Sequence, residues 1–307
     1  MSIKYNNKFL LLLVVVYSIG ALAWSNIGLP DRFGMSSVVP YLIIIAIGCI
    51  YCKKDGTFYT EFVPYNVGIK PLTAVLAVVI TMVLYPFCGV LSEVGSLLGP
   101  NVLQVFENTM QDKSLFENII STAVVPAVFE EFFFRGAIYG GIKRARGARS
   151  AIIWTSILFG MFHMNIQQFL YAAVLGVVFG IFREITGSMW TGMLCHFVNN
   201  ALAVVDSAYP ENIHSKTLAN VDIFGSTGQV ALALVMSAVG IVIAVILVRL
   251  LAKTEGKAAE LGSFFKEDKG EGTKLCDVRF ILAIVVILLM TALVAFSLSL
   301  MASMPAQ

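Results

Sequence analysis

The chain has 307 residues; 58% are hydrophobic, only 13% are charged, and the mean hydropathy is +0.85. Because an ordinary soluble domain carries about 25% charged residues, this composition excludes a soluble enzyme, a disordered chain and a secreted disulfide scaffold. The formal net charge of only +2 provides no basic surface for nucleic acid. We therefore predict an all-α polytopic membrane protein.

Apolar segments recur along the chain at lengths that suit membrane helices, which need about 20 apolar residues each. We predict nine spans. They are 9–29, 37–52, 71–98, 117–142, 149–166, 168–186, 188–206, 227–251 and 279–303. Three longer polar segments, 100–116, 207–226 and 253–278, are predicted loops. The last is rich in Lys, Glu and Gly, so we expect a flexible, charged cytoplasmic linker.

Lysine and arginine predict the orientation of these spans, since cytoplasmic loops carry an excess of both. With the N-terminus inside, Arg32, Lys113 and Lys216 lie outside, Arg135 lies within a span, and the rest of the 21 basic residues lie inside. We expect an N-in/C-out protein of the plasma membrane, with eight spans as the alternative count. The first span has a cleavage-like site at 21–23, but its apolar run continues, which favours a retained anchor.

The fourth span contains three charged side chains near its middle. An ionised group there costs about 2.5–3.5 kcal/mol, so these groups must face the protein interior or a wet cavity. Glu131 and Arg135 are four residues apart and can pair, whereas Glu130 is rotated by about 100° and can point elsewhere. Pro126 leaves the carbonyl of Thr122 without its helical donor, so we expect a kink. A purely structural ion-pair cluster is the alternative interpretation.

Histidines are the second signal. His163 lies near the end of the fifth span, and His196 lies in the seventh, where it shares a helix face with Asn200. One buried histidine usually serves packing, but two beside a glutamate pair indicate a site, because burying all of them is costly. We expect His214, in a polar loop, to be an ordinary surface residue. The lone C-x-x-C at 49–52 is expected to serve packing.

These residue types suit hydrolysis. A Glu beside a neutral His can take a proton from water, and a second His with an Asn amide can stabilise an oxyanion. A mixture of Glu and His can also hold a metal, but the chain has no H-E-x-x-H motif. It also lacks a G-x-S-x-G serine elbow and a G-x-G-D aspartyl motif.

The charged cluster of the fourth span and the two histidines each lie in a motif that resembles one of a known family. The segment 130–136 (EEFFFRG) resembles the E-E-x-x-x-R-G motif of the CAAX prenyl endopeptidase and bacteriocin-processing (CPBP, or Abi) family of intramembrane proteases. The segments 159–163 (FGMFH) and 196–200 (HFVNN) resemble its F-x-x-x-H and H-x-x-x-N motifs. The segment 186–190 (TGSMW), just ahead of His196, resembles the T-G-S-hydrophobic segment that precedes the last motif in the family. The resemblance covers about 117–206.

The resemblance implies a helical protease with a cavity open to the cytosol and to lipid. It implies that Glu130 acts with His163 on water, and that His196 and Asn200 stabilise the oxyanion. We therefore divide the chain into N-terminal helices (1–116), a CPBP-like catalytic core (117–206) and C-terminal helices (207–307).

By the same resemblance, Glu131 and Arg135 order the site. We favour a metal-free mechanism with no cofactor. A divalent metal such as zinc is the alternative, held if present by Glu130, His163 and His196.

The expected partners are the bilayer and a membrane-associated peptide or lipidated protein as substrate. A non-catalytic scaffold or bacteriocin self-immunity protein is the main alternative function, and an ion-coupled transporter is another, since buried Glu, Arg and His also mark proton paths. The G-x-x-x-G at 176–180 favours close packing within the chain over dimerisation.

Overall fold

The computed structural model describes residues 2–54, 56, 68–102, 110–209, 227–265 and 270–303. Within these ranges the regular secondary structure is helical throughout, which agrees with the predicted fold class. The helices are α1 Ile3–Ile27, α2 Met35–Lys54, α3 Pro71–Ser96, α4 Leu115–Asn118, α5 Val125–Glu131, α6 Tyr139–Phe162, α7 Ile166–Thr186, α8 Trp190–Ala208, α9 Thr227–Thr254 and α10 Val278–Ser303. Two π-helical segments, Ile119–Val124 and Phe132–Ile138, join α4 to α5 and α5 to α6.

The first two helices form an antiparallel pair. α1 ends at Gly28, which adopts the left-handed conformation (φ 69°) that glycine accepts readily at a helix end. α1 and α2 approach closely where Gly20 meets Pro40, since a Cβ on Gly20 would lie only 2.3 Å from the proline Cγ. This contact fixes the position of the next residue in α2, Tyr41.

The central helical run, Leu115–Phe162, carries the first two motifs. Pro126 lies at the start of α5, directly after a π-helical segment, as expected where proline removes a helical hydrogen bond. The run is interrupted at Gly147, whose φ of 87° and ψ of 175° are not helical. This break separates the basic end of the fourth predicted span from the fifth.

α7 packs along α6. Asn165 caps α7 through a hydrogen bond to the N–H of Gln168 (2.8 Å), and Gly187 ends it at φ 67°. Gly176 and Gly180 both face α6, against Ser156 and Ile152 respectively. The G-x-x-x-G pair therefore serves close packing within the chain, as predicted.

The charged linker before the last helix makes defined contacts, and its flexibility stays a prediction. Its described residues dock on α6: the N–H groups of Glu271 and Gly272 donate to the carbonyls of Arg144 and Ala145 (3.0 and 3.1 Å). Those carbonyls are left without helical donors by the break at Gly147. Apolar Phe264 and Leu275 are buried.

Asp277 links the start of α10 to α1 through hydrogen bonds. Its carboxylate accepts hydrogen bonds from the N–H groups of Arg279 and Phe280 and from Asn7 Nδ2. Partial burial raises the pKa of the Asp277 carboxyl, but these donors outweigh it and hold the pKa below its usual value.

Six helical segments in the described part of the chain are long and apolar enough to cross a membrane. They are Ile3–Ile27, Arg32–Ile50, Pro71–Ser96, Ile166–Thr186, Ala231–Thr254 and Val278–Leu300. The chain is an integral, multi-pass membrane protein. The other predicted spans, 117–142, 149–166 and 188–206, are helical but carry charged or polar residues. The nine-span count and the N-in/C-out orientation therefore stay predictions.

Candidate active site

A buried ion pair forms the centre of the site. The Arg135 guanidinium donates to Glu131 Oε1 at 2.9 Å, as the spacing of four predicts, and the two residues are 1% and 0% exposed. A second donation from Arg135 reaches the carbonyl of Gly176 (3.0 Å). Phe159 and Phe179 cover the guanidinium, at 4.5 and 5.3 Å from their ring centroids. The charge of Arg135 is thus compensated by a carboxylate, a carbonyl and two aromatic faces.

His196 joins this pair from α8. Its Nδ1 lies 3.5 Å from Glu131 Oε1, which is an electrostatic contact rather than a hydrogen bond. Gly192, one turn earlier on α8, allows the approach, because a Cβ there would lie 2.6 Å from Glu131 Oε2. Glu131 therefore orders both Arg135 and His196.

Glu130 points away from the ion pair, as its rotation on the helix predicts. It is 7% exposed, and its Oε1 accepts a hydrogen bond from the Tyr41 hydroxyl at 3.0 Å. Its Oε2 is buried and makes no hydrogen bond within the described residues. A buried carboxylate oxygen normally has a donor, so this oxygen marks a place where a water or substrate group can bind.

His163 ends α6 and presents one ring nitrogen to the site. Its Nδ1 lies 3.0 Å from the carbonyl of Phe159, and a carbonyl only accepts, so Nδ1 carries the hydrogen. In the neutral ring, Nε2 is then a hydrogen-bond acceptor. His163 is near enough to Glu130 and His196 for electrostatic interaction with both.

The ring of Phe159 is in contact with both histidines. Both imidazoles stand edge-on to Phe159, with ring centroids 5.2 Å (His163) and 5.5 Å (His196) away. Phe159, the phenylalanine of the F-x-x-x-H segment, thus has three roles in this structure: it covers Arg135, it hydrogen-bonds His163 through its carbonyl, and its ring contacts both imidazoles.

Asn200 approaches from α8, one turn beyond His196. Its Nδ2 donates at 3.0 Å to the carbonyl of Thr122, which is the group that Pro126 leaves without a helical donor. Its Oδ1 accepts from Asn199 Nδ2 at 3.1 Å. An amide nitrogen carries two hydrogens, so one remains to serve a bound group.

The structure thus brings Glu131, Arg135 and His196 into direct contact, with Glu130 and His163 close to them. Asn200 is on the same face of α8 as His196, held by the π-helical segment. His214 lies outside the described residues. Sequence reasoning missed Tyr41, because it lies in an apolar helix with no motif around it.

The donor set does not form a metal centre in the described ranges. Within them, no three His, Cys, Asp or Glu side chains come close enough to hold one ion. A catalytic zinc normally has three protein ligands, and the predicted ligands Glu130, His163 and His196 do not form such a group in the described part of the chain. These residues do not fit a zinc site, and metal independence stays a prediction.

The fold and the site together define a helical membrane protein with a buried cluster of carboxylate, guanidinium and imidazole side chains. Residues 113–202 match the family model described as "Type II CAAX prenyl endopeptidase Rce1-like". The resemblance to the CAAX prenyl endopeptidase family is therefore confirmed over this part of the chain, which contains all three motifs.

The chain is also similar in sequence to a curated protein. The "Putative membrane peptidase YdiL" of Bacillus subtilis (strain 168) is 25% identical over 92 residues, which are 30% of this chain and 38% of that protein. No solved structure matches the chain.

Proposed function

We propose that this protein is an intramembrane endopeptidase that hydrolyses a peptide bond in a membrane-associated peptide or protein. In this mechanism Glu130 takes a proton from a water molecule, and the water oxygen attacks the carbonyl carbon of the scissile bond. The tetrahedral intermediate then collapses. The C–N bond breaks, and the proton held by Glu130 passes to the leaving amine.

One observation carries the proposal: the Glu130 carboxylate has a buried oxygen without a donor among the described residues. His163 is near enough to interact electrostatically with Glu130, and its Nε2 can accept a hydrogen bond. A water bound there would donate to both groups and be oriented for attack. The family match over 113–202 supports the same chemistry.

The oxyanion donors come from α8. His196 would donate through a ring N–H, and Asn200 would donate its second amide hydrogen. The loss of one such donor typically reduces kcat by about 10²–10³. Glu131 and Arg135 make no step themselves in this proposal; they hold His196 in place.

The substrate and the setting follow from the location of the site. The site lies among apolar helices, so the substrate reaches it from the bilayer or from the membrane surface. We expect the plasma membrane, with the cytoplasmic side accessible. The relative described as a membrane peptidase supports an enzyme of this kind.

A comparison of membrane peptides tests the proposal and searches for the substrate in the same experiment. Membranes from cells producing wild type, Glu130→Gln, His163→Ala and Tyr139→Phe are compared by mass spectrometry of new peptide termini. Tyr139 donates to Glu184 (2.8 Å), away from the proposed chemistry, and serves as the matched control. We expect termini that appear with wild type and Tyr139→Phe and disappear with the other two.

Purified proteins in liposomes, with a synthetic peptide that spans the cleaved bond, give the direct assay. Equal cleavage by wild type and Glu130→Gln would reject the mechanism and favour a non-catalytic scaffold or immunity protein. The same assay with and without a chelator tests the metal-free mechanism, for which we expect unchanged rates.

A further inference from the structure

We propose that Tyr41 is a positioning residue for Glu130, contributed to the site by the second helix from outside the segment that matches the family. This inference rests on the proposed function, because it assigns Tyr41 a role in the same reaction. The observation behind it is the hydrogen bond from the Tyr41 hydroxyl to Glu130 Oε1 (3.0 Å).

The Tyr41 ring is held rigidly, so the hydroxyl has a defined position. Tyr41 is 1% exposed, and its ring stacks on Tyr17 and on Phe129, with centroid distances of 5.2 Å in both cases. Phe133 adds a tilted contact at 5.4 Å. Two of these rings flank Glu130 on its own helical run, so Tyr41 is locked against the element that carries the carboxylate.

The hydrogen bond selects one of the two carboxylate oxygens. Oε1 is occupied by Tyr41, and Oε2 is left to interact with water. The other ionisable side chains whose charges interact with Glu130 are Tyr17 on α1, Arg135 and His163 on the central run, and Tyr171 on α7. Within the described ranges, the Tyr41 hydroxyl is the group that donates a hydrogen bond to Glu130.

A packing role alone would not need the hydroxyl. The ring contacts with Tyr17, Phe129 and Phe133 would be the same for phenylalanine. The oxygen, however, is buried beside a carboxylate, and it fixes the rotation of that carboxylate about its last bond. Productive geometry for attack requires this kind of constraint.

Tyr41→Phe tests the inference, since it removes one hydroxyl and keeps the ring. Tyr139→Phe is the control, because it removes a buried tyrosine hydroxyl that donates to another carboxylate, that of Glu184. We expect kcat to fall about tenfold in Tyr41→Phe with KM within about twofold of wild type, given the usual strength of hydrogen bonds to charged groups. Tyr139→Phe should keep both values.

Infrared spectra give a readout that does not depend on turnover. The carboxyl band of Glu130 is isolated by subtracting the spectrum of Glu130→Gln from that of wild type. It is then isolated again by subtracting Tyr41→Phe/Glu130→Gln from Tyr41→Phe. We expect the band to move in the Tyr41→Phe background and to stay in place in a Tyr139→Phe background.

The outcomes are distinguishable. If Tyr41→Phe keeps the wild-type kcat, or the Glu130 band does not move, while Glu130→Gln is inactive, the role of Tyr41 is overturned and the proposed function stands. If wild type and Glu130→Gln cleave equally, the proposed function fails and the role of Tyr41 fails with it.

Discussion

Glu130 and Glu131 are neighbours in sequence, yet their carboxylates lie in different surroundings. Glu131 is paired with Arg135 in a fully buried contact, whereas Glu130 accepts from a neutral tyrosine. Glu131→Gln would leave the buried Arg135 charge without its carboxylate partner, and loss of one partner of a buried pair costs about 3–5 kcal/mol. Glu130→Gln leaves no such charge. We expect a clearly lower melting temperature for Glu131→Gln and a near-wild-type value for Glu130→Gln.

Thermal unfolding of both proteins in the same detergent, followed by intrinsic fluorescence, measures this difference. A third variant, Glu93→Gln, changes a carboxylate on α3 that lies outside the site and controls for the loss of charge in general. Equal melting temperatures for Glu130→Gln and Glu131→Gln would show that the ion pair contributes little to the fold.

Helical spacing predicts much of this local geometry, because side chains four residues apart share a face. The Glu131–Arg135 pair, the divergent direction of Glu130 and the lack of a helical donor for the Thr122 carbonyl all follow from it. Spacing within one helix contains no information on which side chain arrives from another helix. The contact from Tyr41, 89 positions away from Glu130, is therefore visible only in the structure.

At the level of elements, the approach of α1 to α2 depends on Gly20. A Cβ on this residue would lie 2.3 Å from Pro40 Cγ and 3.1 Å from its Cβ, and a proline ring cannot turn away. We expect Gly20→Ala to push the two helices apart, to lower the melting temperature and to reduce peptide cleavage, because Tyr41 follows Pro40 directly. Overpacking of this kind usually costs about 1–3 kcal/mol.

Ile19→Ala provides the comparison on the same helix. Ile19 is 61% exposed, so its truncation removes little packing, and both stability and cleavage should stay near wild type. If Gly20→Ala behaves like Ile19→Ala in both measurements, the close contact with Pro40 does not set the position of Tyr41.

The helices themselves were predictable from apolar length, but their ends and irregularities were not. Pro126 predicts a disturbed helix, and the structure resolves the disturbance as two π-helical segments on either side of α5. The charged linker shows what composition leaves out. Its composition is typical of a flexible chain. The backbone N–H groups of Glu271 and Gly272 nevertheless donate to carbonyls of α6, and composition contains no information on such backbone pairing.

At the scale of the whole molecule, that docking connects the C-terminal helices to the central run. A Cβ on Gly270 would lie 2.5 Å from backbone atoms of Ala145 and Arg146, so Gly270→Val cannot keep the contact. We expect trypsin to cleave after Lys274 about tenfold faster in this variant, given the usual strength of two backbone hydrogen bonds. Gly262→Val is the control, because nothing lies within 4 Å of its Cβ position.

Limited proteolysis in detergent, with the fragments identified by mass spectrometry, measures these rates. A rate for Gly270→Val equal to that of wild type would mean that the linker is open to the protease without release from α6. A fast rate in both variants would place its protection elsewhere in the linker.

The orientation of the chain depends on the same linker. The polar groups of the site lie on three predicted spans, 117–142, 149–166 and 188–206. Length and composition alone do not establish that these three helices cross the membrane. If an odd number of them fails to cross, the linker moves to the opposite side of the membrane. The side on which the linker lies therefore tests the parity of the whole topology.

Cys276 reports on that side directly, because it is a free and exposed cysteine within the linker. In a variant that keeps only Cys276, we expect a membrane-impermeant maleimide to label it in permeabilised cells and not in intact ones. Gln111→Cys in a cysteine-free background is the matched control: it is exposed and lies in a predicted outer loop, so intact cells should label it. Labelling of Cys276 in intact cells would reverse the predicted orientation of the linker, and labelling of neither position would place both loops inside.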